Sequence, residues 1–192
     1  RRIAILPLLG ATPYLIAFST SGCRIIPGTG TQVPVWILGS SLFGAQLAAY
    51  LSLPYAFASH FAPTHLDEAL KVYRRTFRPS DRLAKPHVMI AIGVSAAATD
   101  AEATYLRSSQ LLAFARLRTG RPGQLPRPTN DLSDIPEPIL AQARYALSCS
   151  AVGSPETVRE QLTALIARHR PDEVMITGMM HDPSARLRSL EI

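Results

Sequence analysis

The sequence predicts an α/β fold in which parallel strands alternate with helices. Short apolar runs typical of buried strands recur along the chain, and segments with helical spacing of apolar or small residues follow them. Helix-start signals stand directly after several of these runs, and Pro or Gly residues close most of the helical segments. This alternation indicates βα units, which build either a doubly wound sheet or part of a barrel.

The composition is that of one folded domain. A chain of 192 residues with 47% hydrophobic content can bury a single core, and it is too short for two large domains. Charged residues make up only 18% of the chain, which argues against disorder over most of it. The net charge is +6, but the arginines are scattered and no basic patch is interleaved with aromatic residues, so we expect no nucleic-acid partner.

Residues 1–23 differ in character from the predicted domain at residues 24–192. They combine a charged start, an apolar middle and small residues before Cys23, which is the outline of a secretory or lipoprotein signal. Two prolines and a glycine interrupt the apolar run, which is too short to span a membrane well. We therefore favour an ordinary buried segment and expect a cytoplasmic protein with no membrane partner.

The first four elements follow one another between residues 33 and 77. Residues 33–38 are rich in strand formers, and residues 42–52 have small and apolar side chains at three- and four-residue spacing. A short apolar run at residues 55–58 predicts a buried strand. Residues 64–77 then place apolar side chains on one face of a helix, preceded by a proline suited to a first helical position.

The second part of the chain begins with its longest strand-like run, at residues 88–97. Thr99 and Glu102 then form the pattern of a capping box, which predicts a helix ending near Gly120. Residues 120–138 hold five prolines and predict a long surface loop, of a kind often used as a lid or a partner contact.

The last predicted elements are three helices and one strand. A helix is predicted around residues 139–148, and Ser154-Pro155-Glu156 is a strong start signal for another that runs to about residue 169. A strand follows at residues 173–177. Asp182-Pro183 then begins a short final helix.

The turn after the first predicted strand is a candidate phosphate site. In parallel α/β folds, ligands lie at the carboxyl ends of the strands, where Gly39, Ser40 and Ser41 stand. The amides from about Ser41 to Phe43 are donors that the next helix leaves unpaired, and the helix dipole favours a phosphate there. A plain serine N-cap explains the same residues with fewer requirements, and from the residues alone it is the better interpretation.

His60 follows the second predicted strand and is expected at the same rim as Ser40. The alternative is a structural histidine hydrogen-bonded within its own loop. No carboxylate stands beside it in sequence, so acid–base chemistry is not assigned. The cysteines and histidines form no CxxC, HxxxH or HExxH pattern, so no metal site is predicted.

Three other polar positions have simple structural interpretations. Asp67 and Glu68 suit the positive end of a helix better than a catalytic pair. Ser154 lacks the GxSxG context of a hydrolase nucleophile. Asp182 is most simply the cap of the last helix.

The stretch from Val33 to Pro63, VPVWILGSSLFGAQLAAYLSLPYAFASHFAP, resembles the bacterial luciferase-like flavin-dependent monooxygenases, and it is most similar to their alkanal monooxygenase-like subgroup. The similarity continues through LDEAL at residues 66–70, FRPS at 77–80 and GQLP at 123–126, and it covers roughly residues 24–192. Several unrelated segments match in the right order, which makes the resemblance specific.

This resemblance implies a TIM barrel that uses reduced FMN, supplied by a separate reductase, and oxygen to oxidise an aldehyde or a similar small organic substrate. Residues 35–39, 55–58, 88–97 and 173–177 correspond to the fifth to eighth barrel strands, about four βα units. The family's phosphate-holding turn falls on Gly39, Ser40 and Ser41, with the amides of Leu42 and Phe43. Ser40 is the best single candidate, while the catalytic residue is unknown apart from the rim candidate His60.

The first half of the barrel has no counterpart in this sequence. A complete barrel needs eight βα units and about 250 residues. A half-barrel leaves unpaired edges at the fifth and eighth strands and an exposed apolar interior, and such edges pair readily with another chain. We therefore expect a homodimer, or a separate chain that supplies the first half. The alternative is a truncated, non-catalytic paralogue that binds flavin or associates with another chain.

Overall fold

Six parallel strands form one sheet in the computed structural model, which describes residues 33–192 and the backbone of residues 3–5. The strands, in chain order, are β1 (Ile3–Ile5), β2 (Val35–Gly39), β3 (Tyr55–Phe57), β4 (Val88–Ala96), β5 (Ser150–Gly153) and β6 (Glu173–Thr177). Every pairing among them is parallel, which confirms the predicted α/β class.

The long strand β4 organises the sheet because other strands pair with it on both sides. β3 pairs with residues 88–90 and β6 with residues 89–93, so these two strands flank β4. Gly93 is paired with both Ser150 of β5 and Thr177 of β6, which places β5 opposite β6 and in line with β3. The neighbours therefore run β2, β3, β4, β6, the order predicted for the fifth to eighth strands of a barrel.

β5 was not predicted. Its four residues are half polar or glycine, and their pairing with residues 93–96 joins positions 57 residues apart in sequence, which no local pattern signals.

The helices fall close to the predicted positions. They are α1 (Leu42–Tyr50), α2 (Leu66–Thr76), α3 (Asp100–Arg118), α4 (Glu137–Ala146), α5 (Pro155–His169) and α6 (Pro183–Glu191), and a 3₁₀ turn (Pro63–His65) precedes α2. Thr99, Ser154 and Asp182 cap their helices through side-chain oxygens that accept backbone N–H bonds, as predicted. The residues between α3 and α4 form the predicted long loop. None of the helices described here is long and apolar enough to cross a membrane.

One face of the sheet, here called the outer face, packs against α1, α2 and α5. Alternate residues of β4 point to it, from Val88 to Ala96, and they share a buried cluster with Tyr55 and Phe57 of β3. Ala45, Leu70 and Val158 are among the side chains that the three helices add to this cluster. Within the described residues, α3 and α4 contribute nothing to it.

Beyond Met89, the opposite, inner face carries small side chains on β4 and on or just after β3. Ala56, Ala58, Ala91 and Gly93 occupy it, and the three alanines are at most 7% exposed. α3 approaches this face rather than the outer one. A Cβ built on Gly93 would lie 3.7 Å from a guanidinium nitrogen of Arg107 in α3. The chain therefore covers the carboxyl-terminal part of the inner face with a helix.

Two expectations about the edges and interior are wrong. β1 pairs with β2 from Ile3↔Val35 to Ile5↔Ile37, so the fifth-strand edge is occupied. The predicted exposed interior is also wrong for β2 to β4, since Trp36, Ala56 and Ala91 are buried. β1 belongs to the distinctive segment at residues 1–23, and the rest of that segment lies outside the described residues.

The eighth-strand counterpart, β6, has the unpaired edge that the sequence predicts, as far as the described part of the chain shows. There, β4 alone pairs with β6, whose Met175 and Ile176 are 50% and 47% exposed.

Candidate functional site

The turn between β2 and α1 combines a serine whose side chain has no hydrogen bond to a described residue with a helix that a different serine caps. Gly39 ends β2, Ser40 follows half-buried, and Ser41 is the N-cap, whose Oγ accepts the Gly44 N–H at 3.4 Å. The plain-cap interpretation therefore applies to Ser41 and not to Ser40. The first turn of α1 carries no acidic residue, so its positive end meets no carboxylate of its own.

Tyr55 supports this turn from the neighbouring strand. Its hydroxyl donates to the Ser41 carbonyl at 3.0 Å, and burial raises the tyrosine pKa, which keeps the group a donor. The Tyr55 ring lies against both glycines of the turn. A Cβ added to Gly44 would lie 3.5 Å from the ring, and a Cβ added to Gly39 would lie 3.8 Å from it. Sequence analysis missed this role, because a tyrosine opening a buried strand gives no sign of where its hydroxyl reaches.

His60 lies just beyond β3, where the carboxyl ends of the strands meet. The preceding Ser59 is anchored to β4, because its Oγ donates to the Ala91 carbonyl at 2.6 Å and accepts the Ala91 N–H at 3.1 Å. The imidazole packs edge-on against Phe61, with ring centroids 4.6 Å apart. The rim placement agrees with the expected one.

The His60 ring has unused hydrogen-bonding capacity. Its Nδ1 is buried and has no hydrogen-bond partner among the described residues, which disfavours the alternative of a histidine held within its own loop. Burial lowers its pKa, so the ring is neutral at pH 7. A neutral imidazole at the rim can donate to, or accept from, a bound ligand.

A second polar group lies over the inner face of β4. Arg107 donates to the Gln110 side-chain oxygen, to the Leu147 carbonyl at 3.0 Å and to Ser150 Oγ at 3.2 Å. All three acceptors are neutral. Sequence analysis missed this group, and its one visible signal is the polar run Arg107-Ser108-Ser109-Gln110 in the middle of a long helix.

The proline-rich loop is held beside the same region at two points. Ser108 Oγ of α3 accepts the Thr129 N–H at 2.8 Å, and a ring nitrogen of His181, after β6, lies 3.0 Å from the Leu125 carbonyl. The loop therefore bridges α3 and the turn that follows β6. Its use as a lid or partner contact stays a prediction.

The remaining candidates have structural contacts. Asp67 is paired with Arg168 at 2.5 Å and with His169 at 2.9 Å, and the bond from Arg168 lowers its pKa. In the part of the chain that the structure describes, no group of three or more His, Cys, Asp or Glu side chains is placed to hold a metal ion.

Comparisons with known proteins identify the family. The model of the luciferase-like monooxygenases matches residues 13–170. A luciferase-like monooxygenase of Escherichia coli K12 is 45% identical over 170 residues, which are 88% of this chain and 51% of that protein. The Bacillus subtilis protein YvbT is 41% identical over the same share of each chain. The chain thus spans about half the length of the curated relatives it matches.

Solved structures share the fold. The crystal structure of apo-MsnO8 superposes with a TM-score of 0.76 at 30% identity, covering 90% of this chain and 53% of that one. A type II Baeyer-Villiger monooxygenase of Pseudomonas putida, solved with FMN, has a TM-score of 0.54 at 18% identity, covering 85% of this chain and 47% of that one. The described elements therefore form part of a TIM barrel, and the chain belongs to the luciferase-like monooxygenase family.

Proposed function

We propose that the protein is a flavin-dependent monooxygenase that binds FMN with its phosphate at the Ser40 turn. The observation that carries this proposal is the turn itself: Ser41 caps the helix, so the Ser40 hydroxyl is not used as the cap, and the first-turn amides of Leu42 and Phe43 follow it directly in the chain. The P. putida relative solved with FMN supports the choice of cofactor.

The inner face also fits a flavin. Ala56, Ala58, Ala91 and Gly93 are small and already buried, so we propose that the ring lies at the carboxyl-terminal rim above this floor and not on an open surface. His60 Nδ1, buried without a partner among the described residues, adds a polar contact at the rim. These features suit a large planar ligand with a phosphate better than a small metabolite.

Each part of the chain has a defined task in this proposal. Bound FMN, reduced by a separate reductase, supplies the redox chemistry with oxygen. Ser40 and the neighbouring amides bind the phosphate, and the small inner-face residues orient the ring. α3 and the proline-rich loop exclude water, and His60 is the candidate for holding or moving a proton. The proposed substrate is an aldehyde or a similar small organic molecule.

Substitution of the turn serines tests the phosphate assignment. We expect Ser40→Ala to weaken FMN binding about tenfold and riboflavin binding less than twofold, because a hydrogen bond to a charged group contributes about 1.5–3 kcal/mol and riboflavin lacks the phosphate. Flavin fluorescence titration measures both affinities.

Ser41→Ala is the matched control for this experiment. It removes the helix cap, which costs about 1 kcal/mol of stability, and it should affect the two ligands alike. Equal losses of FMN and riboflavin affinity in Ser40→Ala would reject the assignment.

We also propose that β6 pairs with a strand from outside the described residues. Its outer edge is unpaired in the described part, and the helix that follows it in the chain, α6, exposes Leu187 and Leu190 to 60% and 61%. β1, β2, β3, β4 and β6 are five strands in line, and eight close a barrel. A segment that supplies the three remaining strands fits this edge better than a second copy of the chain, because a second copy would add five strands.

Turnover separates an enzyme from a non-catalytic relative. Oxygen consumption that depends on reduced FMN and rises with an added aldehyde supports the monooxygenase. Flavin binding without such turnover, in the presence of the other barrel half, supports the non-catalytic paralogue instead.

A further inference from the structure

A guanidinium without a carboxylate partner lies over the inner face of the sheet. Arg107 of α3 forms no ion pair with an acidic side chain in the described part of the chain, and its bonds go to Gln110, Leu147 and Ser150. Burying a cation among neutral groups costs free energy unless an anion compensates it. Burial lowers the arginine pKa to about 10, so the group still carries its charge at pH 7.

The position of Arg107 relates it to the proposed flavin floor. Gly93 belongs to the inner-face series of β4, and the site of its missing Cβ is 3.7 Å from the guanidinium. β4 is two strands from β2, or about 10 Å at the usual strand spacing. The sugar-alcohol chain of FMN separates its phosphate from its ring, so one molecule can reach from the Ser40 turn to this region.

A buried serine on the same face also lacks a partner. Ser95 lies two residues beyond Gly93 on β4 and is 1% exposed, and its Oγ has no hydrogen bond to any described residue. A buried unpaired hydroxyl is uncommon in folded proteins and calls for an explanation. An uncompensated cation and an unpaired hydroxyl on one face together suit a ligand edge that carries negative charge and acceptor atoms.

We propose that Arg107 binds the anionic edge of the reduced flavin ring and so favours the reduced over the oxidised cofactor. Near neutral pH the reduced ring carries a negative charge at its N1–C2 carbonyl edge, whereas the oxidised ring is neutral. This inference rests on the proposed function. Gln110 is a positioning residue, because its buried side chain holds the guanidinium and is itself tied to Met179 Sδ at 3.4 Å.

The experiment measures the affinity for oxidised FMN and the midpoint potential of the bound flavin under anaerobic conditions. In Arg107→Gln we expect affinity for reduced FMN to fall about tenfold and affinity for oxidised FMN to change less than twofold. For a two-electron couple this difference lowers the potential by about 30 mV. The exposed Arg144→Gln of α4, which breaks a pair with Glu137, is the control and should leave the potential unchanged.

Gln110→Glu tests the same idea without removing the arginine. It places a carboxylate against Arg107, and this internal anion should compete with the reduced flavin and lower the potential in the same direction. A purely structural role predicts an unchanged potential, because the new ion pair keeps the guanidinium in place. Thermal unfolding of each variant reports whether the fold is intact.

The outcomes separate this inference from the function on which it rests. An unmoved potential in Gln110→Glu, or equal losses for both redox states in Arg107→Gln, overturns the role of Arg107. If Ser40→Ala still discriminates FMN from riboflavin, the phosphate site survives that result. Failure of the unaltered protein, completed by its other barrel half, to bind flavin rejects both.

Discussion

At the scale of single residues, the candidate site depends on a tyrosine that touches no proposed ligand atom. Tyr55 of β3 fixes the carbonyl of Ser41, and its ring fills the space behind Gly39 and Gly44. The turn therefore owes its shape to a side chain 14 residues away in sequence. Packing against the Tyr55 ring is therefore one reason for the glycines at this turn, and the close approach of a ligand would be a second.

Removal of the Tyr55 hydroxyl tests this dependence. We expect Tyr55→Phe to lower the free energy of unfolding by about 1 kcal/mol, because the partly buried hydrogen bond to Ser41 is lost. FMN affinity should fall as well, since the carbonyl that the tyrosine fixed can move. Chemical denaturation and flavin titration measure the two effects.

Tyr73→Phe is the matched control for Tyr55→Phe. Tyr73 is also fully buried and its ring packs against that of Tyr55, with centroids 5.5 Å apart, but its hydroxyl donates to the Leu53 carbonyl at 2.9 Å and not to the Ser41 turn. The Tyr73→Phe variant should lose a comparable free energy of unfolding and keep the FMN affinity of the unaltered protein. If both variants lose FMN affinity alike, Tyr55 has no special relation to the turn.

At the scale of elements, a buried histidine, His169, lies at the contact between α2 and α5. His169 at the end of α5 is 6% exposed, and its Nδ1 lies 2.9 Å from Asp67 of α2. Arg168 and Arg74 also face it, and Arg74 donates to the His169 carbonyl at 2.8 Å. Burial lowers the His169 pKa despite the nearby carboxylate, so the folded protein keeps this ring neutral.

Stability should therefore fall with pH below about 6.5, the ordinary histidine pKa. There the unfolded chain binds a proton that the folded protein does not, and the slope is at most about 1.4 kcal/mol per pH unit for each such proton. His169→Gln should make the decline between pH 7 and pH 5 shallower. Part of the slope should persist, because burial also lowers the pKa of His60.

The exposed His65 provides the control for the pH experiment. Urea denaturation at several pH values should give the same slope for His65→Gln as for the unaltered protein. A His169→Gln slope equal to that of the unaltered protein would show that the buried histidine does not carry the effect.

At the scale of the whole molecule, the two edges of the sheet differ in the described residues: a further strand pairs with β2, and none pairs with the outer edge of β6. β1 covers β2, while β6 ends the sheet in the described residues with exposed apolar side chains. Unpaired strands with apolar surfaces associate readily. We therefore expect any strand that extends the sheet to pair with β6 and not with β2.

A charge on this edge should prevent association. We expect the 20.9 kDa chain, when isolated, to sediment as an associated species, and Ile176→Lys to shift it toward monomer, because lysine on an edge strand opposes pairing. Leu117→Lys, which changes a somewhat more exposed apolar residue at the end of α3, should have no effect. A stable, well-folded monomer of the unaltered chain would contradict the expectation that the exposed β6 edge associates on its own.

Local signals explain why so much of the fold was predictable. β2, β3, β4 and β6 are runs of apolar residues, and the caps Thr99, Ser154 and Asp182 act within three residues of their own positions. Such features depend on neighbours in sequence, so the α/β order, the family and the rim position of Ser40 and His60 were all predicted without the structure.

Long-range contacts decided the rest. β1 and β5 are short strands defined by pairing partners more than 30 residues away, and the Arg107 group depends on bonds to Leu147 and Ser150, 40 and 43 residues along the chain. The sequence by itself determined the family, the elements and the turn at Ser40. Only the tertiary structure decided that Ser41 is the cap, that Tyr55 holds the turn and that a lone arginine faces the inner floor, because each follows from packing between distant segments.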